Sequence, residues 1–264
     1  MGEAPAEAMA RLDARIVRCR KCPRLVAWRE LAASEKRASY ADEDYWARPV
    51  PGFGPADARI LLAGLAPAAH GGNRTGRMFT GDRSGDWLFA SLHRVGLASR
   101  TESVGVGDGM ELYDVRMAAP VRCAPPANRP TPEERANCAP WLDRELAILT
   151  PTLRVVVALG AIGWQASLDA LARAGWDVPR PRPRFAHDAE IVLARPRRRR
   201  TGGDVVLLGC FHPSPHNTFT GRLTEPMTDA VLRRARELAD TAEQREQQSS
   251  PDLPATVSKG LRSR

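Results

Sequence analysis

The stretch that most limits how this chain can fold runs over residues 60–87, ILLAGLAPAAHGGNRTGRMFTGDRSGDW. Ile60, Leu61, Leu62 and Ala63 form an unbroken apolar run, the pattern of a strand buried on both faces. Gly64 ends it, and Gly71, Gly72, Gly76, Gly81 and Gly85 punctuate the loop that follows. Such a loop can turn sharply and let a ligand approach the backbone closely. Asp82 or Ser84 is placed to cap a helix that carries Leu88, Phe89, Leu92 and Val95 at helical spacing. A loop at the carboxyl end of a buried strand, leading into a helix, favours phosphate or another anionic group. The glycines match neither the Gly-x-Gly-x-x-Gly dinucleotide pattern nor a loop ending in Gly-Lys-Ser/Thr, so a nucleotide cofactor fits poorly.

Elsewhere strands alternate with helices. Strands are expected at 111–117, 154–159, 185–193 and 204–210. Leu12, Ile16 and Cys19 share one helix face, and PVPGFGP at 49–55 is an irregular loop. Thr131-Pro132-Glu133-Glu134 has the form of a capping box with Pro at the first helical position; Cys138, Leu142, Leu146 and Leu149 then face inward. Helices are also expected at 161–174 and 224–240. The alternation implies an α/β fold with a mainly parallel sheet between helices. Residues 1–8 and the polar stretch from Thr241 are expected to be disordered, leaving one domain over 9–240.

With 264 residues and 43% hydrophobic content, the chain can build a sizeable core. No apolar run is long enough to span a membrane and no signal peptide is recognisable, so a soluble cytoplasmic protein is expected. The net charge of +8 suits an anionic partner such as nucleic acid, although genomic base bias also produces arginine-rich chains. The basic tip from Arg195 through Pro196 to Arg200 divides evenly between a solvated loop and a DNA contact. Five cysteines, Cys19, Cys22, Cys123, Cys138 and Cys210, argue against a disulfide framework in a reducing compartment. They leave metal binding, a reactive thiol or burial.

The strand at 204–210 runs into Cys210-Phe211-His212-Pro213-Ser214-Pro215-His216-Asn217. A histidine directly after a buried strand stands at the sheet edge where open α/β folds bind ligands. The loop after Ala63 is expected on the same edge, which raises His212 above a mere capping residue.

Gly64-Leu65-Ala66-Pro67-Ala68, Asn73-Arg74-Thr75-Gly76-Arg77, Phe79-Thr80-Gly81-Asp82 and His212-Pro213-Ser214-x-x-Asn217 together resemble the uracil-DNA glycosylase superfamily, most closely its family 5, or type b. The resemblance covers roughly residues 19–238. It implies a four-stranded parallel sheet between helices, and hydrolysis of the N-glycosidic bond of uracil, with other deaminated bases accepted. The expected partner is double- or single-stranded DNA carrying such a base, met by a monomer near the nucleoid. It further implies a 4Fe–4S cluster on Cys19, Cys22, Cys123 and Cys138. Zinc on the same four thiolates is the chemical alternative.

By the same resemblance, His212 stabilises the departing base and Phe79 stacks on it. The better-known glycosylases carry Asp or Asn just after the first strand. Here Ala66, Pro67 and Ala68 stand there, as in family 5, so Asp82 is the candidate for water or the sugar cation. Family 4 reads uracil with an Asn four residues before the third cysteine; here that position is Ala119, and Asn128 is the substitute. Ala66, Ala68 and His70 are expected to line the base pocket. Asn73, Arg74, Arg77, Ser84, Ser214 and Asn217 are expected to contact DNA. Phe219 or Leu223 would fill the hole left by the flipped base. Two rivals are a noncatalytic metal-stabilised DNA-binding protein, and a redox or radical iron–sulfur enzyme, which would need clustered cysteines such as Cys-x3-Cys-x2-Cys, absent here.

Overall fold

A computed structural model describes residues 3–195 and 202–249. Helices α1 (Pro5–Val17) and α2 (Pro23–Glu35) precede β1 (Ile60–Ala63). Then come a single turn α3 (Gly72–Thr75), α4 (Arg83–Arg94), β2 (Val115–Ala118), α5 (Pro132–Leu149), β3 (Val155–Leu159) and α6 (Gly160–Ala174). The chain continues with β4 (Glu190–Leu193), β5 (Val205–Cys210), α7 (Pro215–Phe219) and α8 (Glu225–Ser249).

The sheet order is β2-β1-β3-β5-β4. The four strands expected for the fold are parallel, and β4 adds an antiparallel edge against β5. β1 and β3 are fully buried, so alternate residues feed two separate cores. Ile60, Leu62, Val155 and Val157 pack under α4 and α8, with Leu88, Phe89 and Val231. Leu61, Val156 and Ala158 pack on the other face with Ile16 of α1, Leu142 of α5 and Leu168 of α6. At full burial each such Leu, Ile or Val contributes roughly 1.5–3 kcal/mol, so both layers hold the sheet. The edge strand β4 alternates exposed and half-buried positions before Leu193, as an edge should.

The capping box is present: Thr131 Oγ1 accepts from Glu134 N–H at 3.1 Å, and Glu134 Oε2 accepts from Thr131 N–H at 2.8 Å. Several boundaries differ from expectation. Disorder was expected through residue 8, but α1 starts at Pro5, because Met9, Leu12 and Ile16 pack into the core beside α5. α8 continues past Asp240 to Ser249. The strand expected from 111 starts at Val115, because Asp114 takes a left-handed turn (φ 61°) and accepts from Arg59 N–H and Nε at 2.8 and 2.7 Å. The strand expected from 185 is ordered as β only from Glu190. In the basic tip, Arg195 packs over the Trp176 ring at 4.2 Å, while Pro196 to Arg200 lie outside the described residues. Among the described residues no helix is long and apolar enough to cross a membrane.

Candidate active site

A cavity of about 410 Å³ opens at the carboxyl ends of β1, β2 and β5. The volume lies within the ~300–1,000 Å³ usual for small-ligand pockets. Residues of the loop after β1 form most of its wall, Ala119 and Asn128 come from the connection after β2, and His212, Ser214 and Pro215 follow β5. β1 and β3 are the neighbours at which the chain order turns, the usual place for a ligand in such a sheet.

Phe79 sits at the centre of this wall in the left-handed region (φ 56°), a strained conformation for a bulky residue. Two glycines make room for it. A Cβ at Gly64 would lie 2.6 Å from Phe79 Cζ, and one at Gly85 would lie 2.0 Å from the Phe79 carbonyl oxygen. The ring faces His212 with centroids 6.5 Å apart and planes inclined by 38°.

His212 is held through its backbone. Asn217 Nδ2 and Ser214 N–H donate to its carbonyl oxygen at 2.8 and 2.7 Å. Gly160 at the start of α6 has a positive φ of 83° and would place a Cβ 3.3 Å from His212 Cβ, so the histidine backs onto that turn. Burial lowers its pKa from the ordinary value; the Asp82 charge pulls upward without reversing this. The lowered value favours the neutral ring, which has one N–H to donate.

Asp82 caps α4: its Oδ1 accepts from Ser84 N–H at 2.9 Å and Gly85 N–H at 3.1 Å. The same carboxylate lines the cavity, and Oδ2 makes no hydrogen bond among the described residues. Capping and facing the cavity are thus compatible. Asn128 also takes a left-handed conformation (φ 55°), which Asn tolerates better than most residues. It is exposed at the mouth, with its amide side chain unengaged among the described residues.

Ala66 and Ala68 line the cavity, where they were expected; Ser84 and Ser214, expected at DNA, also lie in its wall. Six others are placed elsewhere. His70 points away from it and pairs through Nδ1 with the Tyr45 hydroxyl at 2.9 Å. Asn73 is fully buried, and its Nδ2 donates to the Arg29 and Ala69 carbonyls at 3.1 and 3.3 Å. Arg74 packs over the Tyr40 ring at 3.8 Å and pairs with Glu43. Arg77 is buried between Asp108, Ser103 and the Phe53 ring. These side chains are occupied by the protein, so the last three are not placed to meet DNA. Asn217 likewise acts on the His212 backbone. Leu223 is fully buried and cannot be a wedge, whereas Phe219 is 66% exposed. Arg83, one residue after the cap, went unremarked in the sequence; it lines the cavity and stacks over Phe219 at 4.6 Å. Its place in the first turn of α4, next to a capping Asp, was the available signal.

A second, smaller cavity of about 20 Å³ has Cys19, Cys22, Cys123 and Cys138 in its wall. They come from the end of α1, the N-cap of α2, the loop after β2 and the middle of α5. Arg29 Nη1 donates to Cys123 Sγ at 3.0 Å and Arg122 N–H to Cys138 Sγ at 3.3 Å. Burial pushes the Cys123 thiol up to about 11 and Cys138 to about 12. Among the described residues no three His, Cys, Asp or Glu side chains are arranged to hold a single metal ion. Cys210 is buried in the core under α8, apart from these four.

The Uracil DNA glycosylase superfamily profile matches residues 51–236. A type-5 uracil-DNA glycosylase of Mycobacterium bovis is 51% identical over 234 residues, covering 89% of this chain and 83% of the relative. One of Thermus thermophilus is 51% identical over 221 residues, covering 84% and 94%. A type-4 uracil-DNA glycosylase of Thermotoga maritima is 39% identical over 113 residues, covering only 42% and 50%. This chain belongs to the uracil DNA glycosylase superfamily, in its type-5 family.

Proposed function

We propose that this protein hydrolyses the N-glycosidic bond of uracil in DNA, the first step of a base-excision repair. The observation that carries the reading is the cavity itself: His212, the Phe79 ring and the Asp82 carboxylate share one pocket at the carboxyl edge of the sheet. A base flipped out of the stack would lie against Phe79. As the bond from C1′ to the base nitrogen breaks, the electron pair goes to the base, and its oxygen gains negative charge. The His212 N–H stabilises that charge, and a neutral donor is what the burial of this ring supplies. The sugar becomes cationic at the same time. Asp82 offsets that charge, orients the water whose oxygen bonds to C1′ and takes the proton that this water loses, which passes on to the departed base anion; Asn128 shares the water or contacts the base.

The wall at Ala66, Ala68 and Ala119 offers no polar side chain to the base edge, which leaves Asn128 at the mouth as the one amide, among the described residues, that could read it. That supports acceptance of other deaminated bases. Arg83, exposed in the first turn of α4, lines the cavity with the buried Ser84 and with Ser214 at the start of α7; a helix N-terminus favours phosphates, and Arg83 is the cation placed to meet them. Phe219 is the wedge, since it is exposed and stacked on Arg83.

A 4Fe–4S cluster on Cys19, Cys22, Cys123 and Cys138 belongs to the same proposal. The donor set fits: four thiols from four segments meet around one cavity, and two N–H groups donate to their sulfurs. A cluster gives each thiolate its own iron, so it does not need the convergence on one point that zinc does. When bound it would cross-link α1, α2, α5 and the loop after β2.

Single-turnover base release from duplex DNA with uracil or another deaminated base tests the activity. We expect free uracil and an abasic site, and release of other deaminated bases as well. Binding of uracil-containing DNA without any base release would favour a noncatalytic DNA-binding protein.

A further inference from the structure

Arg29 in α2 is one of the largest fully buried side chains in the molecule, only 2% exposed. A buried guanidinium ordinarily has a carboxylate partner, because an unpaired charge in a core is costly. Arg116 and Arg122 follow that rule and share the buried Glu145. Arg29 has no ion pair among the described residues. Its Nη1 donates to Cys123 Sγ at 3.0 Å, Nη1 and Nη2 both reach the Cys19 carbonyl at 3.3 Å, and Nε has no partner. Glu30 beside it turns outward to Arg20. Four neutral thiols would leave this cation uncompensated, whereas four thiolates on a cluster supply negative charge at the right place. We propose that Arg29 is the charge partner of the four-cysteine site, a positioning residue that holds the Cys123 thiolate and favours the more reduced cluster.

This inference rests on the cluster reading above and adds a named residue to it. The main chain of the same residue is tied to the loop that carries Phe79 and Asp82: the Arg29 carbonyl accepts from Asn73 Nδ2 on that loop. Hydrogen bonds and charge near the sulfurs set the potential of such clusters. The full-length protein, purified anaerobically, is compared with Arg29→Met, Arg29→Lys and Arg29→Gln by iron content, visible absorption, iron release to a chelator and reduction midpoint. The wild type should contain iron and absorb broadly in the visible. Arg29→Met should release iron several-fold faster and have a lower midpoint, and Arg29→Lys should stay close to wild type. Should Arg29→Met not fold, Arg29→Gln must still fall below Arg29→Lys in midpoint and iron retention. Iron-free wild-type protein would overturn the cluster reading and this inference together. Iron-loaded wild type, with neutral variants matching Arg29→Lys and wild type in both readouts, would overturn the inference alone.

Discussion

Between Gly71 and Arg77 the loop after β1 turns Asn73, Arg74 and Arg77 into the protein; between Met78 and Ser84 it turns Asp82, Arg83 and Ser84 to the cavity, while Thr80 bonds back to Thr75 and the Arg77 carbonyl. Asn73, Arg74 and Arg77 grip Arg29, Tyr40, Glu43 and Asp108. Phe79, Asp82 and Ser84 line the pocket. The two halves look alike in sequence, rich in glycine and in residues that suit DNA. Their difference shows that a side chain's role is fixed by what packs around it. The first half anchors the loop, and that anchoring holds the second half in its strained, functional shape.

The largest effect expected lies across the cavity, opposite the second half. Replacing His212 by Ala should lower the single-turnover rate by ~10²–10⁴-fold, the range for a lost donor to a developing oxyanion. Melting temperature and DNA affinity should stay near wild type. In the first half the loss should fall on stability instead. Arg77→Ala removes the cationic partner of the largely buried Asp108 carboxylate, whose pKa is held far below the usual range despite burial by the Met110 N–H, Arg77, Ser103 and the Gly105 N–H. Breaking such a pair costs about 3–5 kcal/mol, readable as a lower urea midpoint, with the rate per folded molecule retained. A slower enzyme of unchanged stability would return Arg77 to the DNA interface. Asn73→Ala should cost less, about 1–3 kcal/mol for groups left unsatisfied.

The smallest effect is in pH dependence. The His212 pKa is lowered on folding by burial, so the unfolded chain binds the extra proton first. Its stability contribution is full above the unfolded value of about 6.5 and declines as pH falls from there toward the lower folded value. Activity should hold below pH 6.5 and fall only once the folded ring is protonated. His212→Asn should flatten the stability slope in that window; an unchanged slope would mean that the ring titrates normally.

Much of this organisation was legible in the residues. The apolar runs at Ile60 and Val155 announced buried parallel strands, and the turn after Cys210 put His212 on the ligand edge. Thr131 and Glu134 announced their own cap. The inward turn of Asn73 and Arg77 was not legible, because their partners Arg29 and Asp108 lie 44 and 31 residues away in sequence. Tyr45 takes His70 out of the pocket in the same way, from 25 residues away. The start of α1 was missed because its Ala- and Glu-rich first turn reads as polar tail until Met9 finds the core. Phe79 was chosen by resemblance, while its left-handed backbone follows only from the approach of Gly64 and Gly85.

The division of the loop is tested most directly at Asp82, where cap and chemistry meet in one carboxylate. Serine caps helices about as well as aspartate, so Asp82→Ser keeps the cap and removes the charge. Single-turnover uracil release and thermal melting should be measured on the same preparation. The account predicts a rate lower by roughly 10²-fold or more at a melting temperature close to wild type. A folded Asp82→Ser protein that releases uracil at the wild-type rate would contradict it and leave Asp82 as a helix cap alone.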